Sequence, residues 1–331
     1  MDTTAPPVRT RVSAGTGVIA LDRPGALNAL DLTMVRLMTE ALERWRDDDG
    51  VRSVLVVSTS PKAFCAGGDI RAVRDAGLRG DDDAVTAYFS AEYALNALIA
   101  GYPKPYTALV DGYAMGGGLG ISVHGSARVV TERAALAMPE SAIGFFPDIG
   151  ASHFLPRLPG AVGWYLGLTG ERISGAAAVE CGLATHYVPA ADLPALQDAL
   201  TAGPGDPEPV LRRFAAPAPA SELAPHREAI ARCFDAPDLA AVGARLAAEE
   251  ADRDWARQTL GVLRRASPMS LRITFDLLRA GADDTLAGCQ ARELELARKT
   301  AREPDFHEGV RALLVDKDRN PSWSEQESPI I

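Results

Sequence analysis

Apolar positions along the chain follow two patterns. Short, largely apolar runs at T-G-V-I-A-L (16–21), Y-T-A-L-V (106–110), 127–131 and 185–188 predict strands, and the continuous run S-V-L-V-V (53–57) predicts one buried on both faces rather than alternating. Helical spacing appears at Leu32, Val35, Leu37, Met38, Leu42 and Trp45, with Asp31 where an N-cap belongs. It predicts further helices over 81–100 (carrying Glu92 and broken by G-Y-P-K-P), after a loop within 150–168, and from Ser174-Gly175 to Gly182. The run 53–57 feeds S-T-S-P-K-A-F-C-A-G-G-D-I, and the run 106–110 feeds D-G-Y-A-M-G-G-G-L-G. Both are strand–turn–helix units with glycine backbone at the strand's C-terminal end, where α/β folds collect ligands. Residues 201–219 are rich in Pro, Ala and Gly and predict a linker. Beyond them 221–315 is strongly helical, Pro268 after Ser267 starts one helix, and the polar tail 322–331 is expected to fray.

Composition narrows the function classes. The 331 residues are 47% hydrophobic and 24% charged, enough for one large domain with an appendage or for two domains. A net charge of −10 offers no basic footprint for nucleic acid or an anionic membrane surface. No apolar run approaches the roughly 20 residues of a membrane-spanning helix. The opening M-D-T-T-A-P-P has neither the basic nor the apolar region of a secretory signal. Cys65, Cys181, Cys233 and Cys289 are isolated, which points to reduced thiols and the expectation of a cytoplasmic protein.

Candidate chemistry concentrates in 110–150. Gly116-Gly117-Gly118 at a strand-to-helix junction leaves backbone N–H groups bare, and a helix N-terminus adds its dipole. Such a place binds an anion or the oxygen of a polarised carbonyl. Glu140 in A-M-P-E and Asp148 in F-F-P-D-I-G are carboxylates in apolar surroundings, where an unpaired charge is expensive. Each residue also has a plainer reading. The glycines make a tight turn, Glu140 serves a helix dipole, Asp148 is an N-cap or turn residue, and Glu92 lies on a solvated helix face. Cys65 reads as a small buried residue rather than a nucleophile, and His124 as structural, while His153 stays a candidate pocket residue. The sequence has no G-x-S-x-G elbow, no paired-histidine zinc motif and no dinucleotide fingerprint, so serine-hydrolase, metal and nucleotide readings are poor.

K-A-F-C-A-G-G-D-I (62–70) followed by G-Y-A-M-G-G-G-L-G (112–120) resembles the enoyl-CoA hydratase/isomerase, or crotonase, superfamily. Within it, A-M-P-E-S-A-I-G-F-F-P-D-I-G with F-L-P-R-L, S-P-M-S-L-R-I-T, and D-F-H-E-G-V-R-A-L-L-V-D-K-D-R-N-P-S-W resemble the 3-hydroxyisobutyryl-CoA hydrolases. The resemblance implies an α/β fold, a crotonase-like spiral of ββα units with a helical C-terminal region. The expected division is a CoA-thioester-binding core over 1–200, a Pro/Ala-rich linker over 201–220, and helices over 221–331 packed on the core. The resemblance also implies an oxyanion hole from the N–H groups of Gly68 and Gly117. CoA would run along Asn28, Ala66, Gly68, Asp69 and Ile70, and Glu92, Gly117, Glu140 and Asp148 would line the acyl pocket.

Gly120 departs from the pattern, because hydratases of the superfamily place a second catalytic glutamate there. Adding water across a double bond shares acid/base work between two carboxylates, whereas one carboxylate facing an oxyanion hole suffices for thioester hydrolysis. The expected activity is therefore hydrolysis of a short β-hydroxyacyl-CoA, most simply 3-hydroxyisobutyryl-CoA in valine breakdown. Glu140 is the nucleophile or base, Asp148 orients the 3-hydroxyl or a water, and Glu92 bonds within the pocket. No metal or other cofactor is implied, since CoA is part of the substrate. Two rivals remain: an enoyl-CoA hydratase or isomerase using Asp148 in place of the missing glutamate, and a non-catalytic acyl-CoA binder. The superfamily resemblance implies a trimer-based homo-oligomer, unless the C-terminal helices cover the assembling surface. It implies no nucleic-acid or membrane partner.

Overall fold

In the computed structural model, which describes residues 6–203 and 205–324, the apolar runs assemble into one six-stranded sheet. Its order is Val8–Ser13, Thr16–Leu21, Ser53–Ser58, Tyr106–Val110, Ala127–Val130, His186–Tyr187. The first two strands are antiparallel and the rest parallel. Continuous apolarity in the central strands matches this arrangement, because parallel strands are covered on both faces. Val18, Leu55, Leu109 and Val129 form one core with Leu196, Leu200 and Leu211. The unpredicted outer strand Val8–Ser13 (V-R-T-R-V-S) buries Val8 and exposes Arg9 to Val12, two of them arginines, as suits a sheet edge.

A second, four-stranded sheet has the order Ala63–Cys65, Tyr113–Met115, Ala135–Ala137, Ile173–Ser174. Three long strands of the first sheet are each followed by a short strand of the second and then by helix: 53–58, 63–65 and 70–78; 106–110, 113–115 and 117–123; 127–130, 135–137 and 140–143. This is the ββα repeat. Strands of two or three residues carry no measurable periodicity, so the sequence showed only their glycine-bearing exits.

Capping holds where the sequence placed it. The side chains of Asp31, Ser174 and Ser267 accept from the backbone N–H groups of Met34, Ala177 and Ser270.

The domain boundaries differ from the expectation. One compact unit comprises the chain up to Gly68, Ala94–Leu136 and Ile173–Ser221; the other comprises Asp69–Tyr93, Ala137–Arg172 and the chain from Glu222. The segment 201–220 is not a free linker. Glu208–Phe214 is a helix whose Leu211 is fully buried, and the Ala216 N–H bonds to the Tyr187 carbonyl at 2.9 Å. Prolines in that helix's first turn start it rather than break it. The expected helices beyond residue 221 form, but not as a unit by themselves. They make one unit with the segments that carry Glu92, Glu140 and Asp148. Residues 325–331 of the tail lie outside the described residues, as do the first five. The described part of the tail is tied down, with the Trp323 indole N–H donating to the Arg265 carbonyl at 2.9 Å and the Ser324 N–H to Asp305 at 2.7 Å.

Candidate active site

The two glycine turns meet within the first unit. Strand Ala63–Cys65 pairs in parallel with Tyr113–Met115, so their exits lie side by side. A Cβ on Gly67, where φ is +103°, would lie 3.2 Å from the Met115 carbonyl oxygen and 3.9 Å from the Gly117 nitrogen. At Gly118 it would lie 2.4 Å from the Cys65 carbonyl oxygen. No side chain fits at either place, and the helix Gly117–Val123 starts against bare backbone. That helix has only seven residues, so bare N–H groups matter more here than the dipole the sequence suggested. Gly68 is half-buried and Gly117 buried. The loop before them is stitched on by Leu30 N–H to Gly67 carbonyl (2.8 Å) and Ala66 N–H to Leu27 carbonyl (3.0 Å).

The second unit gathers the carboxylates. Glu92 lies on helix Asp82–Ala100 within the buried stripe Val85, Tyr88, Phe89, Tyr93, Asn96, Ile99, and is 2% exposed. The solvated-face reading of Glu92 fails. Glu140 opens the 3₁₀ turn Glu140–Ile143 at 8% exposure, and its buried Oε2 has no hydrogen-bond partner among the described residues. The Oε1 of Glu92 is likewise unpartnered. Asp148 is 6% exposed and does not cap a helix with its side chain; its Oδ2 accepts from the Tyr93 hydroxyl at 2.7 Å. Stacked rings wall the cluster: Phe89 on Phe145 at 5.5 Å and Phe145 on Phe146 at 4.4 Å.

C-terminal helices grip both carboxylate turns. Helix Pro304–Val310 presses on the first, since a Cβ on Gly144 would lie 2.2 Å from the Asp305 carbonyl oxygen. On the second, Glu293 of helix Leu286–Thr300 accepts from the Gly150 and Ser152 N–H groups (2.7 and 3.0 Å) and the Ser152 hydroxyl (2.6 Å). Sequence reasoning missed Tyr93 and Glu293. Tyr93 could have been found as the neighbour of a carboxylate on an apolar stripe; Glu293 carries no local signal.

Among the described residues no lysine or arginine pairs with Glu92, Glu140, Asp148 or Glu293, so burial dominates their protonation. Burial, and then the charge of Asp148, push Glu140 and Glu92 well above the ordinary carboxylate range. Burial lifts Asp148 to about 7 against the Tyr93 hydrogen bond, and Glu293 to about 8 against its three donors. Burial therefore favours the protonated form throughout the cluster. An unfolded carboxyl titrates near about 4.3. Above that, folded Glu92 holds a proton that the unfolded chain has lost, so stability falls as pH rises towards the folded value. Glu92→Gln removes this dependence. Relative to wild type its melting temperature should gain steadily between pH 5.5 and pH 8, and parallel melting curves across that range would refute the assignment.

The other sequence-chosen residues fall out as follows. Asn28 is fully buried with φ +56°, and its amide is committed internally: it donates to the Ser58 hydroxyl (2.8 Å) and Phe64 carbonyl (3.1 Å) and accepts from Arg23 N–H (2.8 Å). Its side chain shapes the loop, leaving only backbone to line a CoA path. Ala66, Asp69 and Ile70 are half-buried at the start of helix Ile70–Leu78. Cys65 is fully buried. His153 is half-buried on Ala151–Phe154, its pKa lowered by burial and then by Arg157. Among the described residues no group of three His, Cys, Asp or Glu is arranged to hold a metal ion, and no helix is long and apolar enough to cross a membrane.

The sequence profile of the enoyl-CoA hydratase/isomerase family matches residues 16–329. The chain belongs to that family. Among its relatives, a mitochondrial 3-hydroxyisobutyryl-CoA hydrolase of Xenopus tropicalis is 43% identical over 93% of this chain and 82% of the relative. The Homo sapiens protein of the same name is 39% identical over 93% and 81%. A crystal structure described as a carnitinyl-CoA dehydratase from Mycobacterium thermoresistibile superposes with a TM-score of 0.92 at 36% identity, covering 98% of this chain and 93% of that one. The resemblance to the hydrolase group and the crotonase-like spiral with a helical C-terminal region are both borne out. The cytoplasmic expectation is not. The matching hydrolases are mitochondrial by name, and isolated cysteines do not distinguish one compartment from another.

Proposed function

We propose that this protein hydrolyses the thioester of a short β-hydroxyacyl-CoA, foremost 3-hydroxyisobutyryl-CoA, releasing the hydroxy acid and CoA as in valine breakdown. The observation that carries the reading is Glu140, a buried carboxylate with an unpartnered oxygen, in a chain that has glycine where a hydratase needs its second glutamate. The names of the relatives point the same way. In this reading the N–H groups of Gly68 and Gly117 receive the thioester oxygen and stabilise the charge that develops on it. Glu140 either attacks the thioester carbon, expelling CoA thiolate to leave a mixed anhydride that water cleaves, or takes a proton from the attacking water. A single turnover in ¹⁸O-water separates the routes, since label entering Glu140 marks the anhydride. Asp148 and Glu92 meet the substrate's hydroxyl; left unpaired, such buried groups would reject analogues that lack it.

The carnitinyl-CoA dehydratase description of a structural neighbour favours a second reading, hydration or dehydration with Asp148 or Glu92 as the second carboxylate. One assay decides between them. Thiol release from 3-hydroxyisobutyryl-CoA, run beside crotonyl-CoA and acetyl-CoA, is expected for the hydroxyacyl substrate alone. Loss of crotonyl absorbance without thiol would establish the hydratase instead, and CoA-ester binding with no turnover would leave a binder.

A further inference from the structure

The turn after Asp148 is held in a conformation it would not adopt unaided. Ile149 has φ +56° and Gly150 φ +85°, two successive left-handed residues, the first a β-branched one for which that region is costly. Such geometry persists only where its surroundings over-determine it. Glu293 supplies that constraint: both its oxygens are spent on Gly150 and Ser152. Helix Pro268–Gly281 backs the same turn, since a Cβ on Gly281 would lie 2.0 Å from the Ser152 carbonyl oxygen. At the other end of Asp148, the Tyr93 hydroxyl fixes Oδ2 at 2.7 Å. A fully buried carboxylate is a poor choice for stability alone, because an apolar residue of similar volume serves a core as well or better. Its three donors are all on the turn, so its effect runs through the position of Asp148.

We propose that Tyr93 and Glu293 are positioning residues that clamp Asp148 from two sides, Tyr93 at its carboxylate and Glu293 through the backbone that follows it. The clamp sets selectivity for an acyl group bearing a hydroxyl. This rests on the hydrolase reading above for its substrate, and on the geometry of this one turn for its mechanism.

The test compares wild type, Tyr93→Phe and Glu293→Gln as full chains. Thiol release is measured from 3-hydroxyisobutyryl-CoA and from isobutyryl-CoA, the same acyl group without the hydroxyl. Hydrogen exchange is followed in the peptide covering 148–154. In Glu293→Gln, whichever way the amide sits, one backbone N–H faces an NH₂ group. Exchange there should quicken about tenfold or more without a comparable change elsewhere. Both variants should lower the ratio of kcat/KM between the two substrates by about 10-fold or more, chiefly through KM for the hydroxyacyl ester. An unchanged ratio, or equal losses on both substrates, would overturn the clamp and leave a merely structural role. Should wild type release no thiol from either ester, the hydrolase reading falls. The clamp is then decided by exchange and by the binding affinities of the two esters: selective deprotection with lost preference for the hydroxyacyl ester upholds it, and no change in either refutes it.

Discussion

Glu140→Gln is expected to lower thiol release from 3-hydroxyisobutyryl-CoA by about 10³–10⁴-fold, with KM within about threefold of wild type. Glutamine keeps the volume and the first oxygen of the side chain but can act neither as nucleophile nor as base. The position is 8% exposed and its Oε2 has no partner among the described residues, so little of the fold depends on the charge. Burial holds the pKa well above the ordinary range, so the charged form is itself destabilising, and the variant should melt no lower than wild type at pH 8. The same elevation predicts that wild-type activity falls as pH drops through that raised value, because nucleophile and base roles both need the deprotonated carboxylate. Turnover within about twofold of wild type in the variant would remove Glu140 from the chemistry.

Gly118→Ala is expected to damage both fold and rate. The added Cβ would sit 2.4 Å from the carbonyl oxygen and 3.0 Å from the Cβ of Cys65, and neither is the free end of a flexible side chain. The start of helix Gly117–Val123 must retreat from strand Ala63–Cys65, at a cost of about 2–3 kcal/mol. That retreat moves the Gly117 N–H away from the Gly67-Gly68 turn, and a donor displaced by about 1 Å loses on the order of 100-fold in kcat. Urea unfolding and steady-state thiol release measure the two effects. A variant as stable as wild type with normal kcat would show that the close approach of the two glycine turns is not needed.

The parts legible beforehand share a cause. The two glycine turns announce themselves because positive φ at Gly67 and Gly116 and backbone contact at Gly67 and Gly118 disfavour any other residue. The long strands announce themselves because parallel strands covered on both faces read as unbroken apolar runs. Glu92 was placed in the pocket by the family resemblance alone, while its own stretch of sequence reads as a solvated helix face. The linker expectation failed because proline content was taken as a break, although prolines in a helix's first turn begin it.

Glu293 marks the boundary between what the sequence determined and what the tertiary structure decided. In A-R-E-L-E-L-A-R-K, Glu293 and Glu295 stand two residues apart with the same helix propensity. Yet Glu295 is exposed and paired with Lys299 four residues on at 2.6 Å, while Glu293 is fully buried and the leucines between and beside them, Leu294 and Leu296, are only half-buried. A carboxylate goes inside only where donors await it, and those donors are the backbone of Gly150 and Ser152, more than 140 residues earlier. Local sequence determined the glycine turns, the parallel strands of the larger sheet and the caps, because each depends on φ, ψ and near neighbours. Which carboxylates enter the pocket, and what holds them there, was decided by hydrogen-bond partners that only the folded chain brings within reach.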